Sequence, residues 1–296
     1  MQIQPIVEPG DRMDRRYLGR LLFLVLAFCL FINPFSPSPS FPQTIKAKAA
    51  VVLDAISNRV LLSKNPDMLL PPASTTKLLT AMLTMEQANL RDSVFVSKNA
   101  SSVPQYKMGL KPGEKVTIEL LLYAALLKSS NDAAVALAEA VGGSEECFVQ
   151  LMNEKVLSLG AYNTRFINPH GLPGPNQYTT AYDLTQIMIH AMGYPKIREI
   201  IGTPVASFST EKGKLLFLTN TDKLLWSEED LVGGKTGFTQ TAGHCFVCAA
   251  ERENKTIVVS ILGSPNRKTL WKETQAMIDK GFELLLAKTP YRTTIR

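Results

Sequence analysis

Apolar positions along the chain predict strands at both ends, with helices between them. Two short apolar runs, 50–53 and 59–63, flank a polar turn at 54–58 and predict a hairpin. In the middle of the chain, apolar residues recur every three or four positions, which is the period of a helix with one buried face. After a first helix that begins at Ser74, the predicted helices cover 118–127, 133–141, 146–159 and 181–192.

The pattern changes after about residue 203, where short apolar runs replace the helical period. Strands are predicted at 205–208, 214–218, 231–239, 244–250 and 256–262, followed by a closing helix at 269–286. Short turns such as Glu253-Asn254 join the late strands, and short turns connect antiparallel neighbours. The sequence therefore predicts an α+β fold, in which strands from both chain ends form one antiparallel sheet packed with helices, with a helical region inserted between them.

The N-terminal segment has the pattern of a targeting signal. Arginines at positions 12, 15, 16 and 20 precede the apolar run Leu21–Ile32, as in a secretory signal peptide. This run is shorter than the roughly 20 residues that a membrane-spanning helix needs. We therefore predict that residues 1–49 are a signal peptide or membrane anchor with a Pro/Ser-rich linker, and that the protein acts outside the cytoplasm. Ala47-Lys48-Ala49 has the small-x-small form of a cleavage site, and a retained anchor stays a second possibility.

Composition and charge fit one folded domain over 50–290, followed by a short tail at 291–296. The chain has 296 residues, of which 45% are hydrophobic and 20% are charged, as in an ordinary globular protein. The net charge is +6, from 32 Lys and Arg against 26 Asp and Glu, and much of the excess lies in the first fifty residues. Such a mild balance does not indicate a nucleic-acid partner.

The cysteines and histidines indicate neither a disulfide framework nor a metal site. Cys29 lies in the leader, which leaves Cys147, Cys245 and Cys248, an odd number. Cys245 and Cys248 are three apart on a predicted strand, so their side chains face opposite sides, beyond disulfide reach. We interpret them as core thiols. The three histidines are scattered along the chain and indicate no metal cluster.

Three short motifs occur in a fixed order and together indicate serine chemistry. They are Ser74-Thr-Thr-Lys77, Ser129-Ser-Asn131 and Lys235-Thr236-Gly237. The first two patterns also occur elsewhere in the chain, whereas Lys-Thr-Gly occurs once. A serine hydroxyl needs a neighbouring base to become a nucleophile, and residues i and i+3 share one face of a helix. Lys77 is therefore placed to reach the Ser74 hydroxyl.

The remaining motif residues complete this chemistry. Lysine acts as a base only when burial or a nearby positive charge lowers its pKa, and Lys235 offers such a charge and attracts an anionic substrate. Ser129 is placed to pass protons between Lys235 and a departing amine. Asn131 offers both a donor and an acceptor to a peptide backbone.

This set of motifs resembles the penicillin-recognising serine acyltransferases. Within them, the chain is similar to the D-alanyl-D-alanine carboxypeptidases of the low-molecular-weight penicillin-binding class. The resemblance covers roughly residues 48–288 and implies a β-lactamase/DD-peptidase-like fold. Longer stretches also look typical of that class: Ala73-Ser-Thr-Thr-Lys-Leu-Leu-Thr-Ala81, Leu127-Lys-Ser-Ser-Asn-Asp-Ala133, Asn168-Pro-His-Gly-Leu-Pro173, Thr180-Ala-Tyr-Asp-Leu184 and Gly234-Lys-Thr-Gly-Phe-Thr239.

The resemblance implies a substrate and a role for each motif residue. Ser74 would form the acyl-enzyme, Lys77 would be its base, and Ser129 would handle protons. The substrate-binding residues implied are Lys235, Asn131, Thr236, Gly237 and Phe238, and the backbone N–H groups of Ser74 and Phe238 would form the oxyanion hole. The substrate would be the D-Ala-D-Ala end of the peptidoglycan stem peptide, with β-lactam antibiotics as covalent inhibitors. The resemblance also implies that no metal and no organic cofactor is required. Membrane contact would come only through an uncleaved N-terminal segment.

One position departs from the family pattern, and three other functions compete. Leu270 stands where the family places an arginine for the substrate carboxylate, and Arg267 and Lys268 are either its replacements or solvated charges. A D,D-endopeptidase acting on peptide cross-links and a non-catalytic penicillin-binding sensor stay open. A class A β-lactamase is disfavoured, because no glutamate between residues 139 and 229 is followed by asparagine four positions later.

Overall fold

A five-stranded antiparallel sheet forms the centre of the computed structural model, which describes residues 45–209 and 215–287. In chain order the strands are β1 (Ala49–Asp54), β2 (Val60–Lys64), β3 (Ser93–Phe95), β4 (Lys115–Thr117), β5 (Val205–Ser209), β6 (Leu215–Thr219), β7 (Leu231–Thr239), β8 (Gly243–Arg252) and β9 (Lys255–Ser264). The central sheet has the order β2-β1-β9-β8-β7. Both chain ends build it, as the sequence predicted.

The other four strands form two separate ribbons. Strand β3 pairs with β4, and β5 pairs with β6, both antiparallel. The sequence identified β5 and β6 as strands, but they do not join the central sheet. Their outer face stays in solvent, where Val205 and Phe217 are 49% and 63% exposed.

Helices cover both faces of the central sheet. They are α1 (Lys77–Gln87), α2 (Lys98–Ser102), α3 (Ile118–Leu126), α4 (Asn131–Gly142), α5 (Glu145–Ser158), α6 (Ala181–Met192), α7 (Pro195–Ile201) and α8 (Arg267–Leu286). Side chains alternate along a strand, so Val258 packs in the layer with α1 to α7 and Val259 packs in the layer with α8. The sheet is therefore buried between two apolar layers, which holds its strands rigidly in place.

The two cysteines of β8 follow the same alternation. Cys245 belongs to the layer with α1 to α7, whereas Cys248 belongs to the layer with α8. Both are buried free thiols, which confirms the interpretation as core residues. Burial raises the pKa of Cys245 to about 11, so its thiol stays protonated at neutral pH.

Residues 45–48 belong to the folded part, although the predicted domain boundary was at residue 50. Ala47 and Ala49 are fully buried, and the Lys64 ammonium donates hydrogen bonds to the carbonyls of Ile45 (2.5 Å) and Ala47 (2.8 Å). These contacts attach the segment to the edge of the sheet. Residues 1–44 of the predicted leader segment 1–49, and the whole predicted tail 291–296, lie outside the described residues. Within 45–209 and 215–287, no helix is both long and apolar enough to cross a membrane.

Candidate active site

The three sequence motifs meet at one cleft beside β7. Ser74 lies in a single 3₁₀ turn, Ala73–Thr76, that leads directly into α1. Lys77 is the first residue of α1, and its Nζ lies 2.9 Å from the Ser74 Oγ. The helical i, i+3 spacing thus brings the two side chains together, as the sequence predicted. Lys235 and Thr236 come from β7, and Ser129 comes from the loop between α3 and α4.

Lys77 is completely buried and fully hydrogen bonded. Besides the Ser74 Oγ, its ammonium donates to the Asn131 Oδ1 (2.7 Å) and to the carbonyl of His170 (2.8 Å). Burial lowers the Lys77 pKa well below its usual value, the positive charge of Lys235 lowers it further, and the carboxylate of Asp132 opposes them. A buried lysine with a lowered pKa is available as a neutral base next to the serine hydroxyl.

Lys235 is equally buried and contacts the second motif. Its Nζ donates to the Ser129 Oγ and to the carbonyl of Thr236, both at 3.0 Å. Burial lowers the Lys235 pKa to about 7, and the nearby carboxylate of Asp222 opposes this shift. Because its pKa lies near neutrality, Lys235 can both donate and accept a proton through the Ser129 hydroxyl.

Asn131 holds the site together from inside. It is 1% exposed, and while its Oδ1 accepts from Lys77, its Nδ2 donates to the carbonyls of Pro104 (3.4 Å) and Gln105 (3.1 Å). Its side chain therefore positions Lys77 and the 104–106 loop. The predicted contact of Asn131 with a substrate backbone stays a prediction.

The turn that carries Ser74 has a strained backbone held by close neighbours. Ala73 has a φ of +50°, a region that side chains with a Cβ seldom adopt. The Thr76 hydroxyl donates to the Ala73 carbonyl at 2.8 Å. Gly171 packs so tightly against this carbonyl that a Cβ there would lie 1.8 Å from its oxygen. A Cβ on Gly237 would lie 2.9 Å from the Ser74 nitrogen, so β7 passes directly beside Ser74.

The open part of the cleft combines motif residues with side chains that motifs alone do not reveal. The residues that line it are Ser74, Tyr106, Lys128, Ser129, Thr221, Thr236, Gly237, Phe238, His244, Cys245, Arg267, Leu270 and Trp271. The Thr221 and Thr236 hydroxyl groups are 2.7 Å apart. The rings of Phe238 and His244 stack with centroids 4.4 Å apart. Arg267 thus lies at the cleft with Leu270, whereas Lys268 is not among the lining residues.

His170 contributes its backbone, not its ring, to the site. Its Nδ1 accepts a hydrogen bond from the Leu172 nitrogen at 3.1 Å. Burial and the charge of Lys77 lower the pKa of the ring to about 3, so the imidazole is neutral. The sequence resemblance at Asn168–Pro173 indicated this loop. Only the structure shows that the His170 carbonyl oxygen is the atom that contacts Lys77.

Comparisons with known proteins show which family this chain resembles. The family model described as D-alanyl-D-alanine carboxypeptidase matches residues 35–266. The D-alanyl-D-alanine carboxypeptidase DacF of Bacillus subtilis is 34% identical over 278 residues, which are 90% of this chain and 71% of the relative. A D-alanyl-D-alanine endopeptidase of Escherichia coli is 33% identical and covers 84% of both chains. The crystal structure of a D-alanyl-D-alanine carboxypeptidase from Mycobacterium tuberculosis superimposes with a TM-score of 0.79 at 32% identity, over 86% of this chain and 96% of that one.

Proposed function

Because this chain belongs to the D-alanyl-D-alanine carboxypeptidase family, we propose that it removes the terminal D-alanine from peptidoglycan stem peptides through an acyl-enzyme on Ser74. The observation that carries this proposal is the buried Lys77 amino group, whose Nζ lies 2.9 Å from the Ser74 Oγ. A binding protein does not need a base of lowered pKa beside a serine hydroxyl, whereas acyl transfer does.

Acylation requires one proton to leave the serine and one to reach the leaving group. The neutral Lys77 amine takes the Ser74 proton while the Ser74 Oγ bonds to the carbonyl carbon of the penultimate D-alanine. The C–N bond to the last D-alanine then breaks, and the departing amine receives a proton from the Ser129 hydroxyl. Ser129 is in turn resupplied by Lys235, to which it is hydrogen bonded at 3.0 Å.

Deacylation reverses the roles of these groups with water in place of the amine. Water attacks the ester carbonyl and gives up a proton through the Ser129 hydroxyl to Lys235, which restores the proton lost in acylation. The C–O bond to Ser74 then breaks, and the Ser74 oxygen recovers its proton from Lys77. We assign the oxyanion hole to the backbone N–H groups of Ser74 and Phe238. The close approach of β7 at Gly237 supports this assignment. A single oxyanion donor typically contributes about 3–4 kcal/mol to lowering the barrier.

We expect the chain to release the terminal alanine from a peptide that ends in D-Ala-D-Ala and not from the same peptide ending in D-Ala-L-Ala. The measurement is the free alanine of either configuration, separated by chromatography, with and without prior treatment with benzylpenicillin. Penicillin should abolish release and add one penicilloyl group, which tryptic mass mapping should place on Ser74. Penicilloyl labelling without D-alanine release would contradict the carboxypeptidase while keeping the nucleophile.

A second candidate function is the D,D-endopeptidase, which cuts peptide cross-links with the same site. The Escherichia coli relative of that name favours it, because this chain covers most of that protein. Cross-linked muropeptide dimers distinguish the two activities: a carboxypeptidase shortens pentapeptide ends, whereas an endopeptidase converts dimers to monomers.

We further propose that Arg267 binds the terminal carboxylate of the substrate. Leu270 has no charge to pair with a carboxylate, and its side chain is 2% exposed and packs in the layer with α8. Arg267 lies one helical turn earlier and lines the cleft with Ser74. A guanidinium can hold a carboxylate through two parallel hydrogen bonds, which supplies what the leucine lacks.

Substitution R267A should raise KM for a D-Ala-D-Ala peptide by roughly ten- to a hundredfold, the effect of losing one charge-assisted hydrogen bond. The matched control is K268A, which removes the neighbouring charge outside the cleft lining and should leave KM unchanged. A substrate ending in D-alaninamide has no carboxylate, so R267A and the native chain should cleave it equally. Equal losses in R267A and K268A would assign the effect to general surface charge.

We propose that the protein acts outside the cytoplasm, where peptidoglycan is exposed. The basic and apolar pattern of residues 1–32 supports export, and its structure lies outside the described residues. Cleavage after Ala49 would remove the Ile45–Ala47 carbonyls that accept hydrogen bonds from Lys64. We therefore place any leader cleavage before Ile45.

A further inference from the structure

Asp222 is a buried acid beside the active site to which the proposed reaction gives no task. It lies between β6 and β7, is 0% exposed, and is surrounded by the protein. Its Oδ1 accepts a hydrogen bond from the Leu224 nitrogen at 3.0 Å. Its Oδ2 is also buried and has no hydrogen-bond partner among residues 45–209 and 215–287. An isolated carboxylate in such a place is costly unless a positive charge lies near it.

The positive charge near Asp222 belongs to Lys235. The preceding residue, Thr221, touches Thr236 through their hydroxyl groups at 2.7 Å, and its nitrogen donates to the Leu127 carbonyl at 3.0 Å, next to the Ser129 loop. These contacts hold Asp222 next to the β7 segment that carries Lys235. Both side chains are fully buried, so little solvent screens the interaction between them.

We propose that Asp222 is a positioning residue for this reaction, and that its buried carboxylate is the counter-charge that keeps Lys235 protonated. The inference rests on the function proposed for Lys235 as the proton donor behind Ser129. It explains how a fully buried lysine can still hold a proton when the amine departs.

The electrostatics around the pair agree with this role. Burial raises the Asp222 pKa to about 7, and the positive charge of Lys235 opposes this rise. In the same way, burial lowers the Lys235 pKa, and the negative charge of Asp222 opposes this fall. Two other titratable groups interact with the pair. The positive charge of Lys235 lowers the pKa of Lys77. The pKa of Cys248 is raised first by burial and then by the negative charges of Asp222 and Glu228. The Cys248 pKa is raised well above its usual value, so this thiol is neutral and does not compete with Asp222 for the lysine charge.

The sign of the effect follows from which form of each group is charged. At acid pH Asp222 is protonated and Lys235 is charged in any case. As the pH rises, Asp222 ionises, and its negative charge then delays the loss of the Lys235 proton. Asp222 therefore extends activity on the alkaline side of the pH profile. The acid side, where Lys77 must lose its proton, does not depend on Asp222.

The test is the pH profile of kcat/KM for D-alanine release by the native chain, D222N and D230N. D222N keeps the acceptor for the Leu224 nitrogen but removes the charge, and its alkaline limb should move to lower pH by about one unit. Its acid limb should stay in place. The matched control D230N removes an aspartate of the same segment that pairs with Arg252 on the surface, and both of its limbs should be native. A merely structural role for Asp222 would lower the whole profile without moving either limb.

A second measurement tests the interaction between Asp222 and Lys235 directly. If D222N is too unstable to measure, carbon-13 titration of the aspartate carboxyl groups in the native chain and in K235M replaces it. In K235M, loss of the Lys235 charge should raise the pKa of the Asp222 carboxyl above its value in the native chain, and an Asp222 titration that is the same in both chains contradicts the proposal. If the native chain releases no D-alanine, the proposed substrate fails separately, and the same profiles are read from penicillin acylation.

Discussion

Substitution K77M is expected to slow acylation of Ser74 by about 10²- to 10⁴-fold, the usual contribution of a general base. Methionine fills nearly the same volume in the buried site but cannot accept the serine proton. The physical reason lies in the local contacts, since the Lys77 Nζ is the basic atom hydrogen bonded to the Ser74 Oγ. The measurement is the second-order rate of penicilloyl-enzyme formation, followed by mass spectrometry.

Two comparison variants set the lowest and the unchanged acylation rates for this experiment. S74A lacks the nucleophile and sets the background rate, which K77M should approach without reaching. K64M removes a lysine with two hydrogen bonds to backbone carbonyls at the opposite edge of the sheet. It should lower the free energy of unfolding by about 1–3 kcal/mol and leave the acylation rate unchanged. A K77M rate equal to the native rate would mean that another group takes the serine proton.

Substitution G171A is expected to damage both stability and acylation. Its added Cβ would lie 1.8 Å from the Ala73 carbonyl oxygen and 2.8 Å from the Thr76 hydroxyl, so the turn that carries Ser74 must move. Gly171 also has a φ of +86°, which strains any residue with a side chain. We expect the free energy of unfolding to fall by about 3 kcal/mol or more, and the acylation rate to fall at least tenfold. Urea unfolding and penicillin acylation measure the two effects.

Gly160 provides the matched control for this prediction. Its φ of +76° is nearly the same, but a Cβ there would meet nothing within 4 Å. G160A should therefore lose only the backbone cost of about 1–2 kcal/mol and keep the native acylation rate. If G171A and G160A behave alike, the contact with the Ala73 carbonyl does not position the nucleophile.

The long elements could be predicted from the sequence because each shows several periods of its pattern. Strand Leu231–Thr239 and helix Ala181–Met192 have the bounds that the sequence predicted. Helix α7 was missed, although Pro195 at its first turn is a common helix start. The three-residue strands β3 and β4 were also missed, because so few residues cannot show an alternating pattern.

Which other segments a helix or strand contacts is harder to predict than whether the segment is a helix or a strand. The apolar runs identified β5 and β6 as strands, but nothing in their local pattern shows that they pair only with each other. The same limit applies at the site. The spacing of Ser74 and Lys77 along a helix predicted their contact, whereas the contacts of Asn131 with Pro104 and Gln105 depend on a loop from elsewhere in the chain. The buried position of Asp222 has no sequence signal for the same reason.

The order of strands in the central sheet has a consequence for how the chain folds. Strand β1 pairs with β2 on one side and with β9 on the other, so that Ala49 lies opposite Leu262. The middle of the sheet therefore cannot close until nearly the whole chain is available. Contacts between such distant segments slow folding and leave strand edges exposed in the meantime. A chain emerging end first from a ribosome or a translocation channel would therefore keep β1 without its β9 partner until the last strand appears.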